Sequence, residues 1–400
     1  MYTFAIKENV YSVGVLNPNL RVFDIVMKTE FGTTYNAYLV RGAEKTALID
    51  ASHLKFFDYY LANVQEICGI DEIDYIVMNH NEPDHSGTVA KLLKLNPKIE
   101  VYASKAGTIY LKNITNDPAI KLHAVKDGDT LDLGGKTLHF KPAPFLHWPD
   151  TMFTWLAEDR MLFTCDFLGA HYCEPLLLDT KKVDKDAYLE AFHVYYEAIF
   201  APFKPYVLKG LDIVTALDPD LVATSHGLIV SKNGLLPELM ARYREWSTPA
   251  ARERKSIPIF YCSAYGNTEL LAFAIADGLR EALPDAEINT YDIIKHDPDE
   301  LGVKLNESDA FLIGSPTLNK DAVPPVWQLL SRIDAINIQK RPAAVFGSYG
   351  WSGEGVPALV SRLQALKVKV SEDTPRAVFI PSEEELANAR AFGKSFGEAL

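Results

Sequence analysis

The chain has 400 residues, 53 of them acidic and 40 basic, and its four cysteines form no CxxC pair. This length predicts roughly two or three domains. The excess of acidic residues argues against nucleic acid or an anionic membrane as the main partner. The spacing of the cysteines argues against a disulfide framework and against a tetrathiolate metal site. Because the apolar runs are too short for a membrane span and the N-terminus lacks the pattern of a signal peptide, we expect a cytoplasmic protein without a membrane partner.

The first part of the chain opens with short β-type segments and becomes helical later. Strands are predicted at Val10–Val15, Asn36–Val40, Thr46–Asp50, Tyr75–Met78, Leu131–Leu133, Thr137–Lys141, Phe153–Leu156, Met161–Thr164 and Leu221–Ser225, and helical segments at Phe56–Ile67 and Ala187–Leu217. Strands outnumber helices early and alternate with them later. This order fits two sheets with helices packed outside them, an αβ/βα sandwich.

A polar and basic segment that contains proline, residues 246–256, separates this part from a more regular one. It predicts a domain boundary, with domains at residues 1–250 and 255–400. In the second part, strands are predicted at 257–262, 287–292, 310–313 and 342–347, and helices at 267–282, 322–332, 354–366 and 383–398. Such alternation predicts a doubly wound parallel sheet.

Four side chains of the kind that bind metals lie within six residues, directly after the predicted strand Tyr75–Met78. They are His80, Glu82, Asp84 and His85. A loop that curls at the end of a strand directs such side chains into one cavity. Imidazole together with carboxylate suits iron, zinc or manganese, and the absence of thiolate disfavours a structural zinc site.

Three further candidate ligands follow strand-like runs. His147 lies in PAPFLHWPD, Asp166 in MLFTCDF and His226 in LVATSHG. Each of them alone is also typical of a surface histidine, a turn or a helix cap. Because loops that leave neighbouring strands at one edge of a sheet share a cleft, we expect all three to join the first four.

Three polar loops follow predicted strands in the second part of the chain. In order, they contain Ser263, Ala264, Tyr265, Gly266, Asn267 and Thr268, then Ser315, Pro316, Thr317, Leu318 and Asn319, then Ser348, Tyr349, Gly350, Trp351 and Gly353. The first loop places backbone N–H groups and a helix N-terminus around an anion. All three lie where open α/β sheets bind ligands, and the absence of GxGxxG favours FMN over a dinucleotide.

The motif HxExDH at residues 80–85, followed by a distant His, an Asp and a final His, resembles the pattern of the flavodiiron proteins. Metallo-β-lactamase hydrolases have a second His where this chain has Glu82. The segments Phe31–Leu39 and Leu146–Asp150 are also similar to the flavodiiron family, and the three polar loops resemble those of flavodoxin. The resemblance covers essentially the whole chain. It implies a metallo-β-lactamase-like domain followed by a flavodoxin-like domain that binds FMN.

The same resemblance implies a non-haem di-iron site. One iron would be held by His80, Glu82 and His147, the other by Asp84, His85 and His226, and Asp166 would bridge the two. In some members of the family a water takes the place of His85. The anionic charge of the three carboxylates leaves one net positive charge on two divalent ions, which a bridging hydroxide would neutralise, and oxygen donors suit iron that cycles between ferrous and ferric states.

The resemblance also implies reduction of O2 to water or of NO to N2O, with electrons from rubredoxin or a flavin reductase. Because the sequence carries no pair of CxxC motifs, we expect that donor to be a separate protein. A head-to-tail homodimer, or a dimer of such dimers, would place the FMN of one subunit beside the metal pair of the other. His171 and Tyr195 are candidate hydrogen-bond donors near the diatomic substrate, and ordinary packing explains them equally well.

Two other functions remain open. A zinc hydrolase fused to a flavodoxin would contain zinc and cleave a thioester or lactam, but Glu82 argues against it. A non-enzymatic electron carrier would leave the first domain as an inert scaffold, and seven ligand-type residues would then coincide by chance.

Overall fold

The computed structural model of the protein describes residues 3–181, 183–249 and 253–400. Contacts divide the chain into two compact units, Met1–Pro249 and Ala250–Leu400. The segment predicted as a seam, 246–256, includes residues 250–252, which lie outside the described residues. The limits 1–250 and 255–400 therefore stay a prediction. Within the described ranges, no helix has both the length and the apolar character needed to traverse a lipid bilayer.

The first unit contains two large sheets with α-helices packed against them. Its strands are β1 (Phe4–Lys7), β2 (Val10–Ser12), β3 (Val15–Asn17), β4 (Val22–Phe23), β5 (Met27–Lys28), β6 (Thr33–Tyr35), β7 (Tyr38–Arg41), β8 (Thr46–Ile49), β9 (Tyr75–Met78), β10 (Glu100–Ser104), β11 (Lys121–Val125), β12 (Thr130–Asp132), β13 (Thr137–Pro142), β14 (Met152–Leu156), β15 (Met161–Cys165), β16 (Leu221–Thr224) and β17 (Val230–Ser231). Its helices are α1 (Phe57–Ile67), α2 (Pro83–Ser86), α3 (Val89–Leu95), α4 (Lys105–Thr115), α5 (Lys185–Tyr195), α6 (Lys204–Leu217) and α7 (Leu236–Ser247). The first sheet has the order β1-β2-β7-β8-β9-β10-β11 and the second the order β12-β13-β14-β15-β16-β17.

Apolar layers on both faces of each sheet hold this unit together. In β7, Tyr38 and Val40 face the layer between the two sheets, whereas Leu39 faces the layer under α1, α3 and α4. In β15, Phe163 faces the layer between the sheets and Leu162 faces the layer under α5, α6 and α7. The side-chain period of two along each strand produces this arrangement. The predicted αβ/βα sandwich is confirmed.

The helical segment predicted at Ala187–Leu217 is not one continuous helix. A π-helix, Tyr196–Phe200, and a 3-10 helix, Ala201–Phe203, lie between α5 and α6. Pro202 and Pro205 have no N–H group to donate to the carbonyl four residues earlier, so the regular α-helical ladder is interrupted at this point. The break follows Tyr195, the last residue of α5, directly.

The second unit is a parallel sheet with helices on both faces. Its strands are β18 (Ile259–Tyr261), β19 (Thr290–Asp292), β20 (Phe311–Leu318), β21 (Asp321–Ala322), β22 (Pro342–Tyr349), β23 (Lys369–Val370) and β24 (Arg376–Val378), and its helices are α8 (Asn267–Ala282), α9 (Pro298–Glu307), α10 (Pro324–Leu330), α11 (Gly355–Ala365) and α12 (Glu383–Glu398). The order is β19-β18-β20-β22-β23, with all of these pairs parallel. Phe311 and Ile313 pack on one face and Leu312 on the other. The predicted doubly wound sheet is confirmed.

Strands β20 and β22 extend further than predicted. Residues 315–318 and 348–349 were expected in loops, but they belong to these strands. Pro316 lies opposite Ser348 in the parallel ladder, and Thr317 and Leu318 pair with the short strand β21. Because these pairings continue the hydrogen-bonded ladder, the candidate flavin contacts are carried partly by strand ends and only partly by loops.

Candidate metal and flavin sites

The first four predicted metal ligands are placed by the end of β9 and by the helix that follows it. His80 lies two residues after the last residue of β9, and Glu82 directly precedes α2, which carries Asp84 and His85. Pro83 is the first residue of α2. Proline suits this position because its ring presets the helical backbone angle and its missing N–H has no partner there anyway. The short helix therefore begins at Pro83 and carries Asp84 and His85 in its single turn.

The other three predicted ligands also leave the ends of strands. Asp166 follows β15 directly, and His226 follows β16 after one residue. Because β15 and β16 are parallel neighbours, these two side chains leave the sheet at the same edge. His147 lies in the loop between β13 and β14. The structure thus brings together all seven side chains that the sequence singled out.

These side chains form two groups that share Asp166. In the first group, Glu82 Oε2 lies 3.3 Å from His80 Nε2 and 3.2 Å from His147 Nε2. The Oδ2 atom of Asp166 lies 3.4 Å from His147 Nε2 and 3.7 Å from His80 Nε2. One ligand atom from each of the four residues lies within 4.8 Å of all the others.

The second group consists of Asp84, His85 and His226, and its ligand atoms also lie within 4.8 Å of one another. His226 Nε2 is 3.0 Å from Asp84 Oδ2, and His85 Nε2 is 3.3 Å from Asp84 Oδ1. The other oxygen of Asp166, Oδ1, lies 3.1 Å from His85 Nε2 and 3.5 Å from His226 Nε2. Asp166 therefore presents one oxygen to each group, as a carboxylate that bridges two ions would.

Hydrogen bonds on the outer side of two histidines fix which ring nitrogen faces inward. His80 Nδ1 lies 3.2 and 3.3 Å from the carboxylate oxygens of Asp150, and His226 Nδ1 lies 2.5 Å from the carbonyl oxygen of Thr34. Because these partners are acceptors, Nδ1 carries the hydrogen, and in the neutral rings Nε2 presents a lone pair to the site. A carboxylate or carbonyl behind the ring is the usual support of a metal-binding histidine.

Several polar atoms at the centre of the site are buried without a hydrogen-bond partner. They are both carboxylate oxygens of Asp84, both ring nitrogens of His85 and Oδ2 of Asp166. Leaving such groups unpaired away from water is costly. Two ligands held about 2.1 Å from one ion at near right angles would lie roughly 3.0–3.5 Å apart, which agrees with the separations of their atoms. The donor set fits two cations.

Without cations, protons hold the histidines and carboxylates together. Burial lowers the pKa of His80, but hydrogen bonds to Asp150 and Glu82 outweigh it and raise the pKa to about 10. Burial raises the pKa of Glu82, but its hydrogen bonds with His147 and His80 hold the pKa well below the usual range. Burial also opposes ionisation of Asp166, whose pKa is nevertheless held very low, chiefly by the charge of His85.

His171 and Tyr195, the two predicted hydrogen-bond donors, both lie beside the second group. Their ring centroids are 4.8 and 6.0 Å from that of His226. His171 Nδ1 lies 2.8 Å from Thr33 Oγ1. Burial and the neighbouring His226 hold the pKa of His171 well below its ordinary value, so this ring stays neutral.

Sequence reasoning missed Asp150 and Cys165. Asp150 is fully buried and accepts hydrogen bonds from the backbone N–H and the side-chain amide of Asn81, both at 2.8 Å, in addition to its contact with His80. Its place in the LHWPD segment, three residues after His147, was the available signal. The thiol of Cys165 lies within 4.8 Å of ligand atoms of His85 and Asp166, and burial holds its pKa well above the usual range. No sequence spacing indicated that contact.

The first predicted flavin loop joins β18 to the 16-residue helix α8. Gly266, directly before α8, has a φ of 84°, which glycine adopts without strain. A Cβ at this position would meet nothing within 4 Å, so the backbone is open on that side. Buried Thr268 links this loop to the third, because its Oγ1 lies 2.8 Å from Ser348 Oγ. A helix N-terminus with open backbone beside it fits a phosphate group.

Hydroxyl groups of the second predicted flavin segment bond to the chain that follows it and to the start of α11. Ser315 Oγ accepts a hydrogen bond from the N–H of Val323 at 3.1 Å, and Thr317 Oγ1 accepts one from Gly355 at 3.2 Å. Tyr265 and Trp351 are 90% and 81% exposed, as rings available to a planar ligand would be. The remaining predicted residues, Ser263, Ala264, Asn267, Pro316, Leu318, Asn319, Tyr349, Gly350 and Gly353, lie in the same segments.

Comparison with known proteins finds matches to both parts of the chain. The family model described as ODP family beta lactamase matches residues 33–227, and the flavodoxin model matches residues 259–393. A flavo-diiron protein of Clostridium acetobutylicum, FprA2, is 54% identical and covers 100% of both chains. An anaerobic nitric oxide reductase flavorubredoxin of Aeromonas hydrophila is 34% identical over 97% of this chain and 78% of its own. The structure of rubredoxin oxygen:oxidoreductase from Desulfovibrio gigas aligns with a TM-score of 0.67 and 25% identity, over 99% of this chain and 98% of that one.

These matches define a two-domain class, a metallo-β-lactamase-like domain followed by a flavodoxin-like domain. Within that class, the 54% identity with a flavo-diiron protein over the full length identifies the family. The chain belongs to the flavodiiron protein family.

We expect Asp150→Asn to weaken metal binding about 10- to 100-fold, because the charge that supports His80 from behind is lost while the side-chain shape is kept. Competition with a chromophoric chelator measures this affinity. The control is Asp58→Asn, which changes an exposed aspartate on α1 and should leave the affinity unchanged. Equal affinity in the two variants would contradict a supporting role for Asp150.

Metal binding should release protons at neutral pH. His80 has a pKa of about 10 in the absence of metal and is therefore protonated at pH 7, whereas a metal-bound imidazole must be neutral. The apparent affinity should accordingly rise with pH up to about 10. Titration calorimetry of metal-free protein in two buffers with different ionisation enthalpies measures the number of protons released. A binding heat that is identical in both buffers would contradict the expectation.

Proposed function

We propose that this protein is a flavodiiron oxidoreductase that reduces O2 to water, NO to N2O, or both, with electrons that reach a non-haem di-iron site through FMN. The observation that carries this proposal is the pair of buried donor groups joined by Asp166. Relatives support the chemistry, since one is named an anaerobic nitric oxide reductase and another a rubredoxin oxygen:oxidoreductase. When bound, an iron pair supplies electrons and open coordination positions for a diatomic molecule.

The seven side chains divide naturally between two ions. His80, Glu82 and His147 would hold one iron, Asp84, His85 and His226 would hold the other, and Asp166 would bridge them. Glu82 is central to the choice of iron, because its oxygen lies within 3.3 Å of both histidines of its group and adds anionic charge to the site. Oxygen-rich donor sets suit ions that change oxidation state between ferrous and ferric.

Residues 255–400 would bind FMN, and residues 1–250 the iron pair. The loop Ser263–Thr268 and the N-terminus of α8 would hold the phosphate, while Tyr349 and Trp351 would contact the ring. FMN stores two electrons, which suits reduction of a small molecule. A flavin contributes nothing to hydrolysis, so its presence argues against a hydrolase.

His171 and Tyr195 would act on the substrate side of the second group. Both rings pack against His226, and the two rings are 4.8 Å apart in an edge-on arrangement. The neutral His171 keeps one ring nitrogen, Nε2, without a hydrogen-bond partner. That nitrogen is free to form a hydrogen bond beside the metal pair.

The donor, the assembly and the compartment are also parts of the proposal. Electrons would come from a separate protein such as rubredoxin or a flavin reductase. The functional unit would be a head-to-tail homodimer, alone or as a dimer of dimers, in which the FMN of one subunit serves the metal pair of the other. The protein would act in the cytoplasm.

Metal analysis followed by stopped-flow mixing tests the function. The protein should contain two irons and one FMN, and the reduced protein should be reoxidised rapidly by O2, NO or both. Asp166→Ala should slow reoxidation by at least about 100-fold while FMN content is kept, and Asp186→Ala, on the exposed part of α5, should not. Zinc in place of iron, absence of FMN, or reduced protein that neither gas reoxidises would overturn the proposal.

Coexpression of two inactive variants tests the head-to-tail arrangement. Asp166→Ala removes the bridging ligand, and Asn267→Asp places a negative charge where the FMN phosphate would bind without harming the helix N-terminus. If flavin and metal pair meet between subunits, half of the dimers are mixed and each has one competent pair, so about a quarter of wild-type activity should return. Activity no higher than that of either variant alone would contradict the arrangement.

A further inference from the structure

The turn that joins β20 to β21 carries a lysine in an uncommon backbone conformation. Leu318 pairs with Asp321 in an antiparallel ladder, so Asn319 and Lys320 form a two-residue turn. Their φ angles are 52° and 64°, both in the left-handed region. Asparagine followed by glycine is the sequence that such a turn favours, because glycine lacks the Cβ that strains a left-handed backbone. The chain therefore keeps a lysine at a position where glycine would fit more easily.

The side chain of Lys320 reaches from the second predicted flavin segment to the third. Its Nζ atom lies 5.9 Å from the centroid of the Trp351 ring, which is the distance of a cation–π contact. Both side chains are exposed. The pKa of Glu354 lies below its ordinary value, chiefly because of a hydrogen bond with Ser352, and the charge of Lys320 contributes to the same shift. The ammonium group of Lys320 thus lies beside the third segment.

Lys320 is the only basic residue in the sequence of the flavin segments and their immediate flanks. One basic residue and three carboxylates occur in the stretches 263–269, 315–321 and 348–354. The whole chain has a net charge of −13. Such an excess of negative charge opposes the addition of electrons to a bound cofactor. Lys320 is the residue of these stretches that acts in the other direction.

A charge beside a flavin changes the energy of its two redox states unequally. The oxidised ring system is neutral, and uptake of two electrons and one proton gives it a negative charge. A neighbouring cation therefore stabilises the reduced form more than the oxidised form, and removal of the cation lowers the reduction potential.

We propose that Lys320 raises the reduction potential of the bound FMN, because its ammonium group, held over Trp351 by the left-handed turn, stabilises the reduced flavin. The inference rests on the proposed function, since it requires FMN in the three segments. A higher potential makes the flavin easier to reduce by a donor and lowers the driving force for transfer to iron. Lys320 would thus determine what fraction of the flavin a donor of given potential keeps reduced.

Three substitutions of Lys320 separate its charge from the conformation of the turn. Lys320→Gln removes the charge, Lys320→Arg keeps it, and Lys320→Gly removes it while relieving the left-handed strain. The glycine variant should unfold at a temperature at least as high as that of the wild type, so that its flavin site can be measured in a folded protein.

Spectroelectrochemical titration of the protein loaded with iron and FMN measures the flavin potential. Lys320→Gln and Lys320→Gly should shift the ratio of reduced to oxidised FMN at a fixed potential roughly 3- to 30-fold toward the oxidised form. Lys320→Arg should keep the wild-type ratio. The shift should become smaller at high ionic strength, because salt screens an exposed charge.

The matched control is Lys340→Gly. Lys340 is also exposed and also has a φ of 64°. It lies two residues before β22, at the amino end of this parallel strand, whereas the flavin segments lie at the carboxyl ends. Its replacement by glycine should relieve the same strain and leave the flavin potential unchanged.

The outcomes separate this inference from the proposed function. A wild-type potential in Lys320→Gly, or a lowered potential in Lys320→Arg, would overturn the role of the charge. Equal weakening of oxidised and reduced FMN binding would identify a contact that ignores the redox state and would also overturn it. A change confined to the rate of reduction by the donor would identify a docking contact, with the same consequence. Wild-type protein that binds no FMN would overturn the proposed function itself.

Discussion

The need to neutralise buried carboxylates governs the architecture of the first unit. Asp84 and Asp166 are buried and the Glu82 side chain is 12% exposed, so an unpaired negative charge on any of them is costly. Four histidines surround them, and hydrogen bonds from behind turn two of these rings so that their lone pairs face inward. Such an arrangement is stable only with positive charge at its centre, supplied by protons or by metal ions. Binding of cations at this site therefore stabilises the folded first unit.

Most of the candidate metal ligands could be predicted from the sequence because they follow strands that have a clear apolar pattern. The dense cluster at residues 80–85 follows a short apolar strand, and Asp166 and His226 each interrupt an apolar run. The order of strands and helices along the chain also predicted the layered sandwich. Contacts between residues that are distant in the sequence could not be predicted in this way. Asp150 lies in the segment LHWPD, which the sequence had singled out, but no spacing indicates that it contacts His80, and the same holds for Thr34 and His226. Cys165 was placed beside His85 by the turn at the end of β15.

Errors at element boundaries had local causes that propensity does not capture. Pro202 and Pro205 divide a segment with helical periodicity into three kinds of helix. In the second unit, β20 was expected to end early because serine, proline and threonine favour loops, but pairing with β21 and β22 extends it. The polar residues at this strand end are thus held more rigidly than a loop would hold them. Tertiary pairing outweighed the intrinsic preferences of the residues.

The position of the Asp166 carboxylate has a consequence for how the two donor groups take up metal ions. One of its oxygens faces each donor group, and Ser225 Oγ donates a hydrogen bond to Oδ1 at 2.7 Å, so the carboxylate is oriented before either ion binds. The first ion therefore does little to prepare the second position, and two cations that share one carboxylate repel each other. Under scarcity, molecules that hold a single ion would be expected beside empty and fully loaded ones. A cell short of the metal would then contain half-filled copies, which lack the ion pair that the proposed reaction requires.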